Sequence, residues 1–195
     1  MQPAVFLDRD GVIIENRSDY VKSWEEVRFL PGALEALRRL NRTEYALVLV
    51  TNQSAVGRGI ISLGRAMEIN RRVIAEIEAQ GGRIDASYVC PHRPDEGCNC
   101  RKPAPGMLLR AAKELELDLA HSYAIGDAVS DIEAAQAIGA RGILVLTGRG
   151  KEQVALLKTK GKANCLVVAD LSAAVDCILV RDQEELQRRA MCTEG

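Results

Sequence analysis

Short apolar runs and helical segments alternate along this chain, and that alternation limits the folds open to it. Strand-length apolar runs, several rich in β-branched residues, fall at 4–7, 46–50, 87–90, 123–125, 142–146 and 165–169. Between them, helical spacing falls at 33–40, 62–79, 106–115, 130–138 and 172–179. This alternation of strands and helices predicts an α/β fold of the three-layer, Rossmann-like kind, with a mostly parallel sheet covered by helices on both faces.

Length and composition indicate one folded unit. The chain has 195 residues with 47% hydrophobic content, enough to bury one substantial core but short for two full domains. We expect a single domain over residues 1–180, with a cysteine-rich loop at 90–100. Residues 181–195 are too polar to be core and are expected to form an exposed terminal helix or a frayed tail.

The charge balance excludes several classes of partner. Twenty-six basic and 27 acidic side chains leave a net charge of −1, so no general field attracts nucleic acid or an anionic membrane. No apolar stretch approaches the roughly 20 residues that span a bilayer, and the start lacks the features of a secretory signal. We therefore expect a cytoplasmic protein, in which the six cysteines are metal ligands or buried thiols rather than disulfides.

The first strand ends in two acids, in the sequence Asp8-Arg-Asp10-Gly. A four-residue apolar run in extended conformation is buried on both faces, so the chain leaves the core at Asp8 and presents both acids at the carboxyl edge of the sheet. Ligands of open α/β sheets bind at that edge. Two neighbouring carboxylates repel each other unless a cation lies between them, so the pair indicates either Mg²⁺ or a shared proton.

Other strand ends carry polar residues as well. The second strand is followed by Thr51-Asn-Gln-Ser54, whose hydroxyls, amides and backbone N–H groups suit phosphate oxygens, although a helix N-cap or a plain turn explains them equally well. The fourth strand ends in Gly-Asp127, and Asp131 follows four positions later as a candidate helix cap. Lys102 taken alone would be a surface charge.

Taken in order, these residues resemble the motifs of the haloacid dehalogenase (HAD) superfamily of phosphohydrolases, over roughly residues 4–150. The resemblance implies that Asp8 is a nucleophile that forms an aspartyl phosphate and that Asp10 is the general acid and base. It implies that Thr51 binds the transferring phosphoryl group and that Lys102 neutralises charge around it. Asp127 would join Asp8 and the backbone carbonyl of Asp10 around Mg²⁺.

A second cluster of candidate metal ligands lies in the irregular segment 91–105 and the strand end before it. Cys90, His92, Cys98 and Cys100 match a closed tetrahedral Zn²⁺ site with three cysteines and one histidine. A disulfide fits less well, because it suits the compartment poorly and two cysteines one residue apart would bridge only with strain. The expected zinc is structural, and it would hold the loop so that Arg101 and Lys102 point at the phosphate.

The resemblance also narrows the substrate to a small phosphorylated metabolite. Two groups of the superfamily are similar to this chain, one acting on D-glycero-D-manno-heptose 1,7-bisphosphate and the other on histidinol phosphate. Segments beyond the catalytic core favour the heptose group, while the five-residue spacer between His92 and Cys98 is similar to the histidinol-phosphate group.

The two substrates need different contacts. A second phosphate needs an additional cation, for which Arg58 and Arg101 are the main candidates, whereas histidinol phosphate would be met by an acidic or aromatic group such as Asp19 or Tyr20. The full set of expected substrate-binding residues is Asn52, Gln53, Ser54, Arg58, Arg101 and Tyr20. No inserted cap domain is expected, so short loops would cover the site of a monomer.

Overall fold

The computed structural model describes residues 1–159 and 165–193 and confirms the α/β prediction. Six strands form one sheet in the order β3-β2-β1-β4-β5-β6, and every neighbouring pair is parallel. The strands are β1 (Gln2–Leu7), β2 (Ala46–Asn52), β3 (Ala86–Cys90), β4 (Leu117–Gly126), β5 (Arg141–Val145) and β6 (Leu166–Val168).

Seven helices lie between or after these strands within the described part of the chain. They are α1 (Ala33–Leu40), α2 (Ser54–Gly57), α3 (Leu63–Ala79), α4 (Gly106–Glu114), α5 (Val129–Ala137), α6 (Gly150–Thr159) and α7 (Leu171–Thr193). Two short 3-10 helices cover Trp24–Glu26 and Pro94–Glu96. The start of α3 shows why the sequence folds as predicted there, because the Ser62 hydroxyl accepts a hydrogen bond from the backbone N–H of Arg65.

Alternate residues of the central strands face two separate cores, which makes the fold three-layered. Val5 and Leu7 of β1 pack in a core that includes buried residues of α1, α3 and α7. Ala4 and Phe6 pack in the opposite core with buried residues of α4 and α5. Because successive side chains of a strand point to opposite faces, a short run of purely apolar residues is what a strand between two helical layers requires.

Three elements differ from the prediction. β4 begins at Leu117, six positions before the predicted run, because polar residues interrupt its first half, Leu-Asp-Leu-Ala-His, which is only partly buried. Helix α6 was not predicted, since the exposed Lys151 and Glu152 in its first turn interrupt the apolar spacing. Helix α7 continues through position 180 without a break, so the expected terminal helix is an extension of α7.

The described residues contain no separate cap domain and no helix both long and apolar enough to cross a membrane. The segments that follow β1, β2, β3 and β4 at the carboxyl edge of the sheet instead provide the surroundings of the site described next.

Candidate active site

The register of β1 and β4 brings Asp8 and Asp127 together. Leu7 of β1 pairs with Ile125 of β4, and the backbone N–H of Asp8 donates to the carbonyl of Ile125 over 3.0 Å. Asp8 therefore lies one position beyond this pair on β1, and Asp127 lies two positions beyond it on β4. The sheet, rather than any local turn, places the two carboxylates side by side.

A third carboxylate completes this group. Asp131, in the first turn of α5, lies directly over Gly126, where any side chain would overlap the Asp131 carboxylate. Carboxylate oxygens of Asp8, Asp127 and Asp131 all lie within 4.8 Å of one another, and all three residues are buried. Hard oxygen donors gathered in this way suit a divalent cation such as Mg²⁺.

Lys102 is the cation buried beside this carboxylate group. Its ammonium lies 3.0 Å from Asp8 Oδ1 and 2.7 Å from Asp131 Oδ1, and it donates to the carbonyl of Val50 over 2.8 Å. Burial alone favours the neutral amine, yet the ion pairs with Asp131 and Asp8 raise the pKa of Lys102 above its ordinary value. Lys102 is therefore a fixed positive charge at the carboxylate that would become a nucleophile.

Burial shifts the pKa values of the aspartates upward, whereas on its own it would lower the pKa of a lysine. It raises the pKa of Asp8 to about 6, with Lys102 opposing the shift and Asp131 and Asp10 adding to it. Burial, followed by repulsion from Asp8, also raises the pKa of Asp127, while Arg149 opposes that rise. The carboxylates thus crowd one another, which is the condition that a bound cation relieves.

Asp10 is not part of the group formed by the other three carboxylates. Its Oδ2 accepts a 2.8 Å hydrogen bond from the Gln53 amide and lies 3.5 Å from the Thr51 hydroxyl, at the end of β2. The buried guanidinium of Arg9 lies 3.0 Å from the same oxygen. The two acids of the Asp-x-Asp pair therefore have different surroundings, as a nucleophile and an acid–base group require.

The segment after β5 closes the site from the other side. The Thr147 hydroxyl donates to the carbonyl of Gly11 over 2.6 Å, and Gly148 has φ +54°, with Asp127 Oδ2 and the Gly11 backbone where a side chain would lie. The backbone N–H of Arg149 donates to Asp127 Oδ2 over 2.9 Å. Glycine is needed at 148 both for its conformation and for this close approach.

The four predicted zinc ligands converge outside the carboxylate site. Sγ of Cys90 lies 3.7 Å from that of Cys98 and 3.3 Å from that of Cys100, and His92 Nδ1 lies 3.3 Å from Cys100 Sγ. Ligands about 2.3 Å from a tetrahedral zinc ion are about 3.8 Å apart, close to these separations. A disulfide would need about 2.05 Å between sulfurs. The donor set and spacing fit Zn²⁺.

The cysteine loop is joined to the site by backbone hydrogen bonds. Gln53 N–H donates to Cys90 O over 2.7 Å, and Gly57 N–H donates to Pro91 O over 2.9 Å. The Asn52 amide both donates to the carbonyl and accepts from the N–H of Lys102, at 3.1 and 3.2 Å. Asn52 therefore positions Lys102, and its expected contact with substrate stays a prediction.

A cavity of about 470 Å³ opens above the carboxylates. Its lining includes Asp8, Asp10 and Lys102 together with most of the predicted substrate-binding residues, namely Tyr20, Asn52, Gln53, Ser54 and Arg101. Arg58 is exposed and does not line this cavity, so the structure does not bring it to the site. Tyr20 has φ +66°, and Arg101 donates to the carbonyl of His92 over 3.1 Å.

Sequence reasoning missed two contributors. The sequence predicts Asp131 only as a helix cap. Asp131 does accept a hydrogen bond from the N–H of Ala128 over 3.0 Å, but it also pairs with Lys102. Arg149 was not singled out, although the sequence Thr147-Gly-Arg-Gly directly after β5 marked a strand end like the others. Both residues follow the carboxyl end of a strand, which is the same signal that located Asp8.

Fold and site together define the class: the protein is a phosphohydrolase of the HAD type. The family of HAD-hydrolase-like proteins matches residues 99–174. A crystal structure of the D,D-heptose 1,7-bisphosphate phosphatase of Bordetella bronchiseptica, complexed with magnesium and phosphate, superposes with a TM-score of 0.85 at 37% identity, covering 92% of this chain and 99% of that one.

Curated sequences agree with the structural match. The D-glycero-β-D-manno-heptose-1,7-bisphosphate 7-phosphatase of B. bronchiseptica is 40% identical over 151 residues, which is 77% of this chain and 84% of that protein. The protein of that name from Pseudomonas aeruginosa is 36% identical over 90% of this chain and 97% of its own length. The chain belongs to the family of D-glycero-β-D-manno-heptose-1,7-bisphosphate 7-phosphatases.

Proposed function

We propose that this protein removes the 7-phosphate of D-glycero-β-D-manno-heptose 1,7-bisphosphate through an aspartyl-phosphate intermediate on Asp8. The observation that carries the proposal is the placement of the buried Asp8 carboxylate, 3.0 Å from the Lys102 ammonium and at the floor of a cavity large enough for a sugar phosphate. The substrate follows from the names of relatives that match most of this chain.

In the proposed reaction, Asp8 attacks phosphorus and the bond to the sugar oxygen breaks. Asp10 gives a proton to the departing oxygen and later takes one from the water that hydrolyses the aspartyl phosphate, so the enzyme returns to its starting state. Gln53 and Arg9 fix the Asp10 carboxylate through the contacts given above. Thr51 and Lys102 contact the phosphoryl oxygens and offset their charge.

Mg²⁺ is the proposed cofactor of this reaction. Asp8 and Asp127 would hold it together with the backbone carbonyl of Asp10, and Asp131 lies close enough to contribute through its carboxylate. A bound divalent cation would offset the repulsion between the carboxylates and the phosphate dianion. The magnesium and phosphate named for the B. bronchiseptica enzyme support this assignment.

Zn²⁺ is the proposed structural metal, held by Cys90, His92, Cys98 and Cys100. All four positions of a tetrahedron are taken by protein ligands, which is the arrangement of a structural site. The last ligand is two residues from Lys102, and the loop is bonded to the segment that carries Thr51. Zinc would therefore fix two phosphate-binding groups at once.

The test compares kcat/KM for heptose 1,7-bisphosphate, histidinol phosphate and simple sugar phosphates, with Mg²⁺ present. We expect the heptose bisphosphate to be preferred by about 10²-fold or more, because a site built for a second charged group rejects analogues that lack it. Preference for histidinol phosphate would overturn the substrate assignment. The five-residue spacer between His92 and Cys98 is similar to that of the enzymes acting on histidinol phosphate.

The matched variants are Asp8→Asn and Asp176→Asn. Loss of the nucleophile should reduce turnover by about 10⁴-fold or more. Asp176 is an exposed carboxylate of α7 that pairs with Arg39, so its amide variant should keep wild-type turnover. Wild-type activity in Asp8→Asn would exclude the covalent mechanism.

A further inference from the structure

Arg149 is a cation that the proposed reaction does not use, although it holds the most buried carboxylate of the site. Its Nη2 lies 3.2 Å from Asp127 Oδ1, its Nε lies 3.5 Å from Oδ2, and its backbone N–H donates to Oδ2 over 2.9 Å. Asp127 is completely buried. One residue therefore contacts both oxygens of a candidate metal ligand.

The backbone and the guanidinium of Arg149 differ in their freedom. The backbone is fixed, since Thr147 bonds to Gly11 and Gly148 leaves no space between Asp127 and the Gly11 backbone. The side chain, in contrast, is 52% exposed and lines the cavity that Asp8 and Lys102 also line. The N–H contact to Asp127 can therefore persist while the guanidinium moves.

The guanidinium and a divalent cation would compete for Asp127. Two cations at one carboxylate repel each other over a few ångströms, and burial of Asp127 reduces the screening between them. A planar guanidinium also matches the geometry of phosphate oxygens. The cavity in front of Arg149 is where the phosphate dianion of the proposed substrate would lie.

We propose that Arg149 is a positioning residue that exchanges partners, holding Asp127 in the metal-free enzyme and turning to the phosphate oxygens of the substrate when a metal ion occupies the carboxylates. The inference rests on the proposed function, because it takes Asp8, Asp127 and Asp131 as the cation site. If the inference is correct, removal of the guanidinium strengthens metal binding and weakens phosphate binding. A purely structural role would weaken both.

The experiment measures two affinities that do not depend on turnover. Mn²⁺ binding is followed by electron paramagnetic resonance without substrate, and inorganic phosphate binding is followed by calorimetry at saturating Mg²⁺. We expect Arg149→Gln to bind Mn²⁺ about fivefold more tightly and phosphate about tenfold more weakly. Arg149→Lys, which keeps the charge but loses the planar fork, should lie between Arg149→Gln and the wild type in both.

Lys151→Gln is the matched control. Lys151 is an exposed cation two positions further along that does not line the cavity, so its removal changes the net charge equally. Unchanged or weaker Mn²⁺ binding in Arg149→Gln, unchanged phosphate binding, or the same two shifts in Lys151→Gln would overturn the inference. If the wild type shows no Mn²⁺ binding that Asp127→Asn abolishes, the proposed function fails as well.

Discussion

The carboxylate group and the cysteine loop are two clusters of metal-ligating side chains that the fold holds by different means. Asp8, Asp127 and Asp131 come from the ends of β1 and β4 and from the first turn of α5, so the pairing of two strands brings them together. Cys90, His92, Cys98 and Cys100 lie in one short stretch of chain with a single 3-10 helix. The first cluster depends on long-range structure and the second on local sequence.

The two clusters also differ in how their charge is compensated. Lys102 and Arg149 provide positive charge at the carboxylates. Among the described residues, no lysine or arginine side chain donates a hydrogen bond to the sulfur ligands, which would repel one another as thiolates. We therefore expect the carboxylate group to keep its geometry without metal, and the cysteine loop to need its ion.

Among changes that leave every ligand and reacting group in place, the largest effect should follow from adding a side chain at Gly148, which lies directly against Asp127. Gly148→Ala puts a methyl group where Asp127 Oδ2 and the Gly11 backbone lie, so the carboxylate must move. Displacement of a reacting group by about 1 Å can reduce turnover by about 10²-fold, and we expect that loss in kcat. Zinc content should remain that of the wild type, because the cysteine loop is untouched.

Gly139→Ala separates the steric effect from the conformational one. Gly139 has φ +75°, but nothing lies within 4 Å of an added Cβ. It should lose about 1 kcal/mol of stability and no activity. Equal kcat in the two alanine variants would mean that the close approach at Gly148 does not position Asp127.

A smaller loss of activity should follow from breaking the cysteine cluster. Cys98→Ser removes a soft ligand, so we expect zinc content to fall and kcat/KM to drop about tenfold as the loop releases Lys102. Metal analysis by mass spectrometry and phosphate release at saturating Mg²⁺ measure the two effects. Cys165→Ser, at a partly buried cysteine outside the cluster, is the control. Retained zinc with intact activity in Cys98→Ser would refute the role of the loop.

The difference between a local cluster and a cluster built by strand pairing explains what could be predicted from the sequence. Cys90 to Cys100 form a local pattern, so their convergence could be predicted from spacing alone. Asp8, Thr51 and Asp127 could be located because each follows an apolar strand, and parallel strands end at one edge.

Contacts between distant segments were beyond sequence reasoning. The Arg149–Asp127 pair depends on how the segments after β4 and β5 turn, which residue spacing does not encode. The direction of a side chain in a loop is equally hidden, which is why Arg58 was expected at the cavity and lies outside it. The partial exposure of the first half of β4 concealed the start of that strand.

An effect on stability rather than on activity concerns the free energy of unfolding of the zinc-bound, magnesium-free protein. Burial raises the pKa of Asp8 to about 6 from an ordinary value of 3.8, so between these values the folded chain keeps a proton that the unfolded chain has lost. Stability from this group is therefore lost as pH rises through that window. Asp8→Asn cannot lose a proton there. Its stability relative to the wild type should rise by up to about 2–3 kcal/mol between pH 4 and pH 6 and then level off.

Urea titrations of both proteins at several pH values between 4.5 and 7.5 measure this difference. The raised pKa of Asp127 is present in both chains, so most of its contribution cancels in the comparison. Added Mg²⁺ should stabilise the wild type more than Asp8→Asn and reduce the gap, because the cation favours an ionised Asp8. A gap that stays constant or shrinks as pH rises would show that Lys102 already compensates the buried charge, and that the carboxylate group is as complete without metal as its ion pairs suggest.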